Sequence, residues 1–561
     1  MGTTEITYSG HFATITPDNC AAASAFGNVV AFLENREVSL PSAEAGVTEP
    51  YHTRFLSLPV PSSEKTGLIP PSDDALDEGP GRYLLSLDVL PEGPGAAWRF
   101  GRGDARLRNH SGDQDGGVDI LLVPPQQHKG VANVHGMIYI HRRSGSLMLR
   151  STSSHPMRYL SAAPDGKDLV LRSGDQTVIY KTANRLRIGE LDYLLTIHVE
   201  HEGHFETLRN QFISTILEEP ALPHPKLDPI PKPYHQKMGG YVMHRTISAG
   251  AFGVVRSGVS SKSGDPVAIK RLSRKGNPSA IETEIRIARI FTPAENGMDG
   301  VIPILSAWCE HGSPSPCGDA FEDFFVAMPL ARTDFAHASW ESMPMTTRLK
   351  LFWHTLVGLS RIHAAGVMHR DISAKNLLIQ SFDPPIAAIC DFGKATQKVQ
   401  STYTAIGPIE TVAPEVWSAA AQGYGPVVDV WSLGYAWLTT YGSLRHVFSS
   451  QRDHKTDEGR ARRIRVELEK RVRADETGIP RALADLLGRM LEFQPARRYT
   501  AAQALQHHVW RDLTRPSDSG EEKEAKRRRL LTPEPEPSGT SPIPDTEVSP
   551  TSTLPLGARG S

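Results

Sequence analysis

The chain has 561 residues, with 61 Lys or Arg against 63 Asp or Glu, and its net charge of -2 excludes binding to nucleic acid or anionic membrane by bulk charge. The length exceeds one small module; 39% apolar residues can build cores, while 43 prolines and 47 glycines call for long loops and linkers. Four cysteines, Cys20, Cys309, Cys317 and Cys390, with no CxxC pair among them, exclude a disulfide framework and a zinc knuckle and fit a reducing compartment.

Residues 1–82 combine one apolar stretch, Ala21 to Leu33, with proline-rich sequence such as LPVPSSEKTGLIPPSDD, and are expected to be a flexible N-terminal arm. No run reaches the ~18 apolar residues that span a bilayer, and the start lacks the basic and apolar regions of a signal peptide, so an intracellular protein is expected. Over 83–212, short runs such as YLLSLDVL, VDILLV, MIYIHRR, SLMLR and YLLTIHV, separated by Gly, Ser, Asp or Pro, predict an all-β sandwich. Pro220, Pro223, Pro225, Pro229, Pro231 and Pro233 mark 213–239 as a semi-rigid linker. Over 240–512, strand-like YVMHRTI and VAIKRL precede helix-like blocks, among them TTRLKLFWHTLVGLSRIH, whose Leu349, Phe352, Leu356 and Leu359 recur at helical spacing; this predicts an α+β domain in two lobes. The tail, 513–561, is rich in Pro, Ser, Thr and Glu and is expected to be disordered.

The chemistry concentrates in 240–512. Ile247 to Val255 reads ISAGAFGVV, where Gly250 and Gly253 would let a hairpin approach phosphates closely. VAIK ends in Lys270, a strand lysine able to neutralise phosphates, and Glu284 in IETEIRIARI is placed to pair with it, with Glu282 as the neighbouring candidate. HRDISAKN spans His369 to Asn376, CDFG carries Asp391, and APE ends in Glu415.

These motifs, in this order, make the segment resemble a eukaryotic protein kinase of the serine/threonine type. The resemblance implies ATP and Mg2+ as cofactors. It makes Asp371 the acceptor of the substrate hydroxyl proton, Asn376 and Asp391 the magnesium ligands, and Lys375 a neutraliser of the transferred group. It lays ATP against Ile247, Ser248, Ala249, Gly250, Ala251, Phe252, Gly253, Val254, Val255, Ala268, Lys270, Met328 and Leu330, with the gatekeeper and hinge in Met328 to Ala331. It also makes Asp429 the anchor of the catalytic loop and Arg498 the partner of Glu415. The sequence departs from the family at Ser248, where the first loop glycine usually stands, and at Ser373, where serine/threonine kinases carry lysine. Lys375 and Pro408-Ile409 lean towards tyrosine kinases, whereas Thr411 and HHVW favour serine/threonine; tyrosine or dual specificity is the alternative. Arg370 calls for an anion, which makes Ser401, Thr402 and Thr404 candidate phosphosites of the activation segment.

In the β-rich segment, WRFGRG with Arg102, the loop before VDILLV, and His135 in NVHGMIYI resemble a forkhead-associated (FHA) domain, a β-sandwich whose end loops bind phosphothreonine. Arg102 matches the phosphate-binding arginine and His135 the structural histidine, while Asn133 and Ser153 complete the candidate pocket. Ala132 replaces the expected phosphate-binding serine, and His155-Pro156 the usual Asn-Gly. The pairing resembles FHA-containing checkpoint effector kinases, which implies protein substrates, phosphothreonine-bearing partners, and no direct nucleic-acid or membrane contact. The rival reading is a catalytically weak scaffold that binds through both domains. The basic KRRRLL run of the tail is a candidate nuclear import signal, so nucleus and cytoplasm are the expected sites.

Overall fold

The computed structural model describes residues 10–37, 55–58, 81–88, 91, 96–103, 117–127, 129–160, 168–217, 223–250, 253–273, 278–291, 300–310, 323–402, 411–416, 423–442, 457–473 and 478–511. Among them, no helix is long and apolar enough to cross a membrane.

The N-terminal part is β-rich. Its strands are β1 (His11–Pro17), β2 (Leu56–Ser57), β3 (Arg82–Ser86), β4 (Trp98–Gly101), β5 (Ile120–Leu121), β6 (Gly136–Ile140), β7 (Leu147–Ser151), β8 (Met157–Leu160), β9 (Leu169–Leu171), β10 (Gln176–Val178), β11 (Ala183–Ile188) and β12 (Leu191–Ile197). They form two sheets, in the orders β2-β3-β1-β12-β11-β8-β9 and β10-β7-β6-β4-β5. Alternation decides which faces turn inward. In β11, Leu186 and Ile188 are buried while Arg185 and Arg187 face water, and Gly189, at φ +60°, turns the chain into β12, where Leu191, Tyr193 and Leu195 are buried. Both sheets contribute to one core, which includes Tyr83, Leu85, Trp98, Ile138, Leu149 and Tyr193.

At its described residues, 10–37, 55–58 and 81–82, this core corrects the expectation of a flexible arm over 1–82. β1 pairs antiparallel with both β12 and β3, burying Phe12, Ala13 and Ile15. The Ala21 to Leu33 stretch lies in helix α1 (Cys20–Glu37), whose Ala22, Ala25 and Phe26 enter the same core and whose Val29 and Leu33 meet Val118 and Leu121. The module does not end at 212 either. Helix α2 (Glu202–Leu217) stacks Phe212 on Trp98 at 5.4 Å, opposite Phe12, whose ring lies 5.3 Å from the same indole. Each such buried aromatic contributes roughly 1.5–3 kcal/mol of hydrophobic stabilisation, so residues 10–37 and helix α2 belong to the module.

The C-terminal part is bilobal. Its first lobe is an antiparallel sheet of β13 (Gln236–Met238), β14 (Tyr241–Gly250), β15 (Gly253–Ser260), β16 (Pro266–Leu272), β17 (Ser306–Cys309) and β18 (Phe324–Pro329), in the order β13-β14-β15-β16-β18-β17, with helix α3 (Pro278–Ala288). The second lobe is helical. α4 (Met345–Ala364) buries Phe352, Thr355, Leu356 and Leu359 on one face; Trp437, from the helix Val427–Thr439, stacks on Phe352 at 4.8 Å and donates its Nε1–H to Thr355 Oγ1. A small sheet of β19 (Thr333–Asp334), β20 (Leu377–Phe382) and β21 (Pro385–Ile389) faces the cleft between the lobes.

The linker is not a free spacer over 213–239. Its start belongs to α2, β13 adds to the first-lobe sheet, and 223–235 packs between the module and that lobe. The module meets the lobe directly as well: Val178 N–H donates to Ser261 O at 2.9 Å, and Arg143 pairs with Asp265 at 3.0 Å. At Gly264 a Cβ would lie 2.8 Å from the Met148 sulfur, so this turn admits no larger residue without movement.

Candidate active site

Strand register aims Lys270. Val255 of β15 and Val326 of β18 flank it, and Ala268, two residues earlier on the same face, lies opposite Met328. α3 supplies the acid. Lys270 Nζ donates to Glu284 Oε1 and to Asp391 Oδ1, both at 2.8 Å, whereas Glu282 is exposed. Burial disfavours the ammonium, but Glu284 and Asp391 more than offset it and hold the Lys270 pKa above the ordinary lysine range. Burial likewise pushes the Asp391 pKa up, and Lys270 together with the Gly393 N–H brings it below the usual carboxylate range.

The catalytic loop is over-determined by hydrogen bonds. Asp429, in the first turn of its helix, accepts the His369 N–H on Oδ2 and the Arg370 N–H on Oδ1, both at 2.8 Å, and His363 Nε2 lies 3.0 Å from Oδ2. Arg370 at φ +65° and Asp391 at φ +68° occupy the left-handed region that non-glycine residues seldom adopt; Asp429 holds the first, and Lys270 and the Gly393 N–H bind the carboxylate of the second. Asn376 Nδ2 donates to the Asp371 carbonyl at 2.8 Å and to its Oδ2 at 3.3 Å. The cation at Asp371 is Lys394, with Nζ 3.2 Å from Oδ1, while Lys375 is exposed. Sequence reasoning missed Lys394, although it directly follows the glycine of DFG, and the signal was there in Ser373, which leaves the usual lysine position empty of charge. Burial raises the Asp371 pKa and Lys394 pulls against it, with a net upward shift.

Arg370 is engaged. Its Nε donates to Lys394 O at 2.7 Å and its Nη1 to Ser401 Oγ at 3.1 Å. Ser401 is buried and exchanges backbone hydrogen bonds with Tyr424, while Thr402 is exposed. Thr404 lies outside the described residues, as do Ala251 and Phe252 of the glycine hairpin. Ser248 pairs with Val255, Ala249 with Val254 and Gly250 with Gly253, so the two strands stay paired up to the glycines of the hairpin. Below it, Ile247, Val255 and Met328 pack around a cluster containing Ala268 and Leu330. Behind Met328 lies an open pocket lined by Lys270, Glu284, Ala288, Met328, Asp391 and Phe392. Phe392 stacks on Phe291 at 5.3 Å and lies 5.2 Å from His369, which turns Asp391 towards the cleft. Arg498 forks onto Glu415, with Nη2 2.9 Å from Oε2.

The oxygens present fit a magnesium ion. Asn376 uses its amide nitrogen on Asp371, which leaves Oδ1, and Asp391 uses Oδ1 on Lys270, which leaves Oδ2; both are hard oxygen donors at the cleft floor.

Residues 241–510 match the family described as "Protein kinase domain". This segment is a eukaryotic protein kinase domain. Human mitogen-activated protein kinase 13 is 29% identical over 303 residues, covering 50% of this chain and 81% of the relative. Mitogen-activated protein kinase MPS1 of Pyricularia oryzae is 28% identical over 317 residues, covering 50% of this chain and 73% of its own. Among solved structures, the crystal structure of Rad53 1–466 in complex with AMP-PNP is 18% identical with a TM-score of 0.45, covering 79% of this chain and 96% of that one.

In the β-rich part, three loops are hydrogen-bonded to one another at one end. Arg102 N–H donates to Ala132 O at 3.0 Å, Gly103 N–H to Asn133 O at 2.9 Å, and Thr152 Oγ1 to Val134 O at 3.2 Å. Arg102 Nη1 donates to Pro125 O at 3.1 Å, and Ser153 Oγ accepts the His155 N–H at 3.0 Å. His135 is buried, accepts the Ala132 N–H on Nδ1 at 3.2 Å, and has its pKa lowered by burial to about 4.

Proposed function

We propose that this chain is a serine/threonine-protein kinase that transfers the γ-phosphoryl group of ATP to protein substrates. The observation that carries the reading is the closed set Glu284–Lys270–Asp391 facing Asp371 and Asn376 across one cleft. Lys270 would hold the nucleotide phosphates, and the adenine would lie on Ala268 and Leu330 against the hinge. Asp371 would orient the substrate hydroxyl and accept its proton as the new oxygen–phosphorus bond forms and the bond from the γ-phosphorus to ADP breaks. Magnesium, held by Asn376 and Asp391, supplies neutralisation of phosphate charge when bound. Lys394, 3.2 Å from Asp371, would keep that base ionised and place a positive charge where the family's loop lysine is lacking. Thr411, which carries no aromatic platform, supports serine/threonine over tyrosine.

The β-rich part would recruit partners as an FHA-like domain in checkpoint-type signalling, with phosphothreonine reaching Arg102, Asn133 and Ser153. The hydrogen-bonded meeting of their loops supports this reading. Nucleus and cytoplasm remain the proposed sites of action. The protein incubated with Mg-ATP and a mixed peptide library, with phosphorylated residues mapped by mass spectrometry, should yield phosphoserine and phosphothreonine. Phosphotyrosine alone would overturn the specificity, and no transfer would overturn the activity.

A further inference from the structure

The linker reaches the nucleotide cleft. Leu227 is buried in the apolar cluster that holds Ala268 and Leu330, together with Met148 and Val178 of the β-rich part. One residue earlier, the half-buried Lys226 sends its Nζ to the carbonyl of Ala331, 3.1 Å away, just past the strand that carries Met328 and Pro329. The backbone around Lys226 is itself tied at several points. Arg245 Nε donates to Lys226 O at 3.1 Å and its Nη2 to Pro225 O at 2.5 Å. His224 N–H donates to Arg143 O of the β-rich part at 3.0 Å. Asp228 N–H donates to His244 Nδ1 on β14 at 3.2 Å, and the Asp228 carboxylate accepts from Tyr234 Oη at 3.0 Å and from His235 Nε2 at 2.9 Å. Lys232 N–H donates to His235 Nδ1 at 3.3 Å.

Asp228, His235 and His244 are close enough to suggest a metal cage. The bonds exclude it: both Nδ1 atoms accept backbone N–H groups, whereas a metal-bound imidazole donates from its second nitrogen. The trio is a hydrogen-bonded knot that pins the linker in place.

We propose that Lys226 is a positioning residue of the nucleotide site: by holding the Ala331 carbonyl it fixes the hinge backbone on which adenine docks, so the linker sets the affinity for ATP. The proposal rests on the reading of this cleft as an ATP site. Its physical basis is preorganisation, since a hinge already ordered by a charge-assisted hydrogen bond loses less freedom when the nucleotide binds. Removing the bond leaves the segment looser, which should raise the nucleotide Kd about 3- to 10-fold, the net worth of one ordinary hydrogen bond.

The test is calorimetric titration of the full chain with Mg-ADP, comparing the unsubstituted protein with Lys226→Met and Lys226→Arg, each checked for an unchanged melting temperature without nucleotide. Met should weaken binding at least 3-fold and Arg should stay within 2-fold. In turnover, Lys226→Met should raise KM for ATP and leave kcat and the peptide KM alone. Equal Kd values for Met and the unsubstituted chain would overturn the proposal, as would equal weakening by Met and Arg, which would assign the effect to packing. Failure of the unsubstituted chain to bind Mg-ADP would sink both the proposal and the ATP reading. Binding without phosphoryl transfer would sink the activity alone.

Discussion

In the kinase domain, the groups that act come from short runs of consecutive residues, whereas the β-rich part is held together by pairings such as Ala13 with Ile197, from opposite ends of its sequence. The two arrangements meet different demands. A phosphate-handling site needs several polar groups at fixed mutual distances, and a tight loop such as HRDISAKN delivers them locally, with Asp371 and Asn376 bonded to each other. A sandwich needs only apolar faces in register, and many sequences with period-2 alternation supply them. Damage in the first region should therefore remove chemistry and spare the fold, while damage in the second should remove the fold of its module.

The largest expected effect that sharpens this contrast is at Lys270. Lys270→Met should lower kcat by about 10²–10³-fold, because it removes one preorganised charge from the site, while the domain still folds, with its melting temperature lowered by the loss of the buried pairs to Glu284 and Asp391; steady-state rates with calorimetric scans check it, and loss of the folded state would blur the contrast. Next is Phe12, packed on Trp98 in the β-rich core. Phe12→Ala should destabilise that module by about 3–5 kcal/mol in denaturant titration, the usual cost of emptying an aromatic site. No change would restore the flexible-arm reading of 1–82.

A smaller effect concerns the acid limb of activity. Asp371 must be ionised to accept a proton, and its pKa is raised by burial, so kcat should fall as pH drops through a value above the ordinary ~4 of an aspartate. Lys394 opposes that shift, so Lys394→Met should move the limb upward by about one pH unit. A limb that does not move would leave Lys394 without a role at the base.

A further pH effect spans both regions. Burial lowers the pKa of His135 and His354 to about 4 and of His224 and His244 to about 3. Each takes up a proton more readily when unfolded, near 6.5, so their contribution to stability is complete above about pH 6.5 and is lost as pH falls towards the folded values. Melting temperatures should drop from pH 7 to pH 5 in both regions, and a flat profile would contradict these burials.

The same contrast explains what the sequence revealed. Lys270, Glu284, Asp371, Asn376 and Asp391 could be named because each sits in a motif whose spacing follows from its loop. β1 could not, because HFATITP is short, its flanks are polar or proline-rich, and its partners are distant in sequence. The six prolines of the linker predict a spacer because proline breaks helix and central strand; nothing local shows that Lys226 and Leu227 find the hinge. Lys394 was passed over because its motif ends at the preceding glycine, yet folding carries it to the base left without a lysine neighbour at Ser373.

The central claim is that this cleft transfers phosphate through Asp371. The most direct measurement is the single-turnover rate of phosphate transfer from prebound Mg-ATP to a serine or threonine peptide, for the unsubstituted chain and for Asp371→Asn. The account predicts a loss of at least about a hundredfold with nucleotide affinity retained, and equal rates in the two proteins would contradict it.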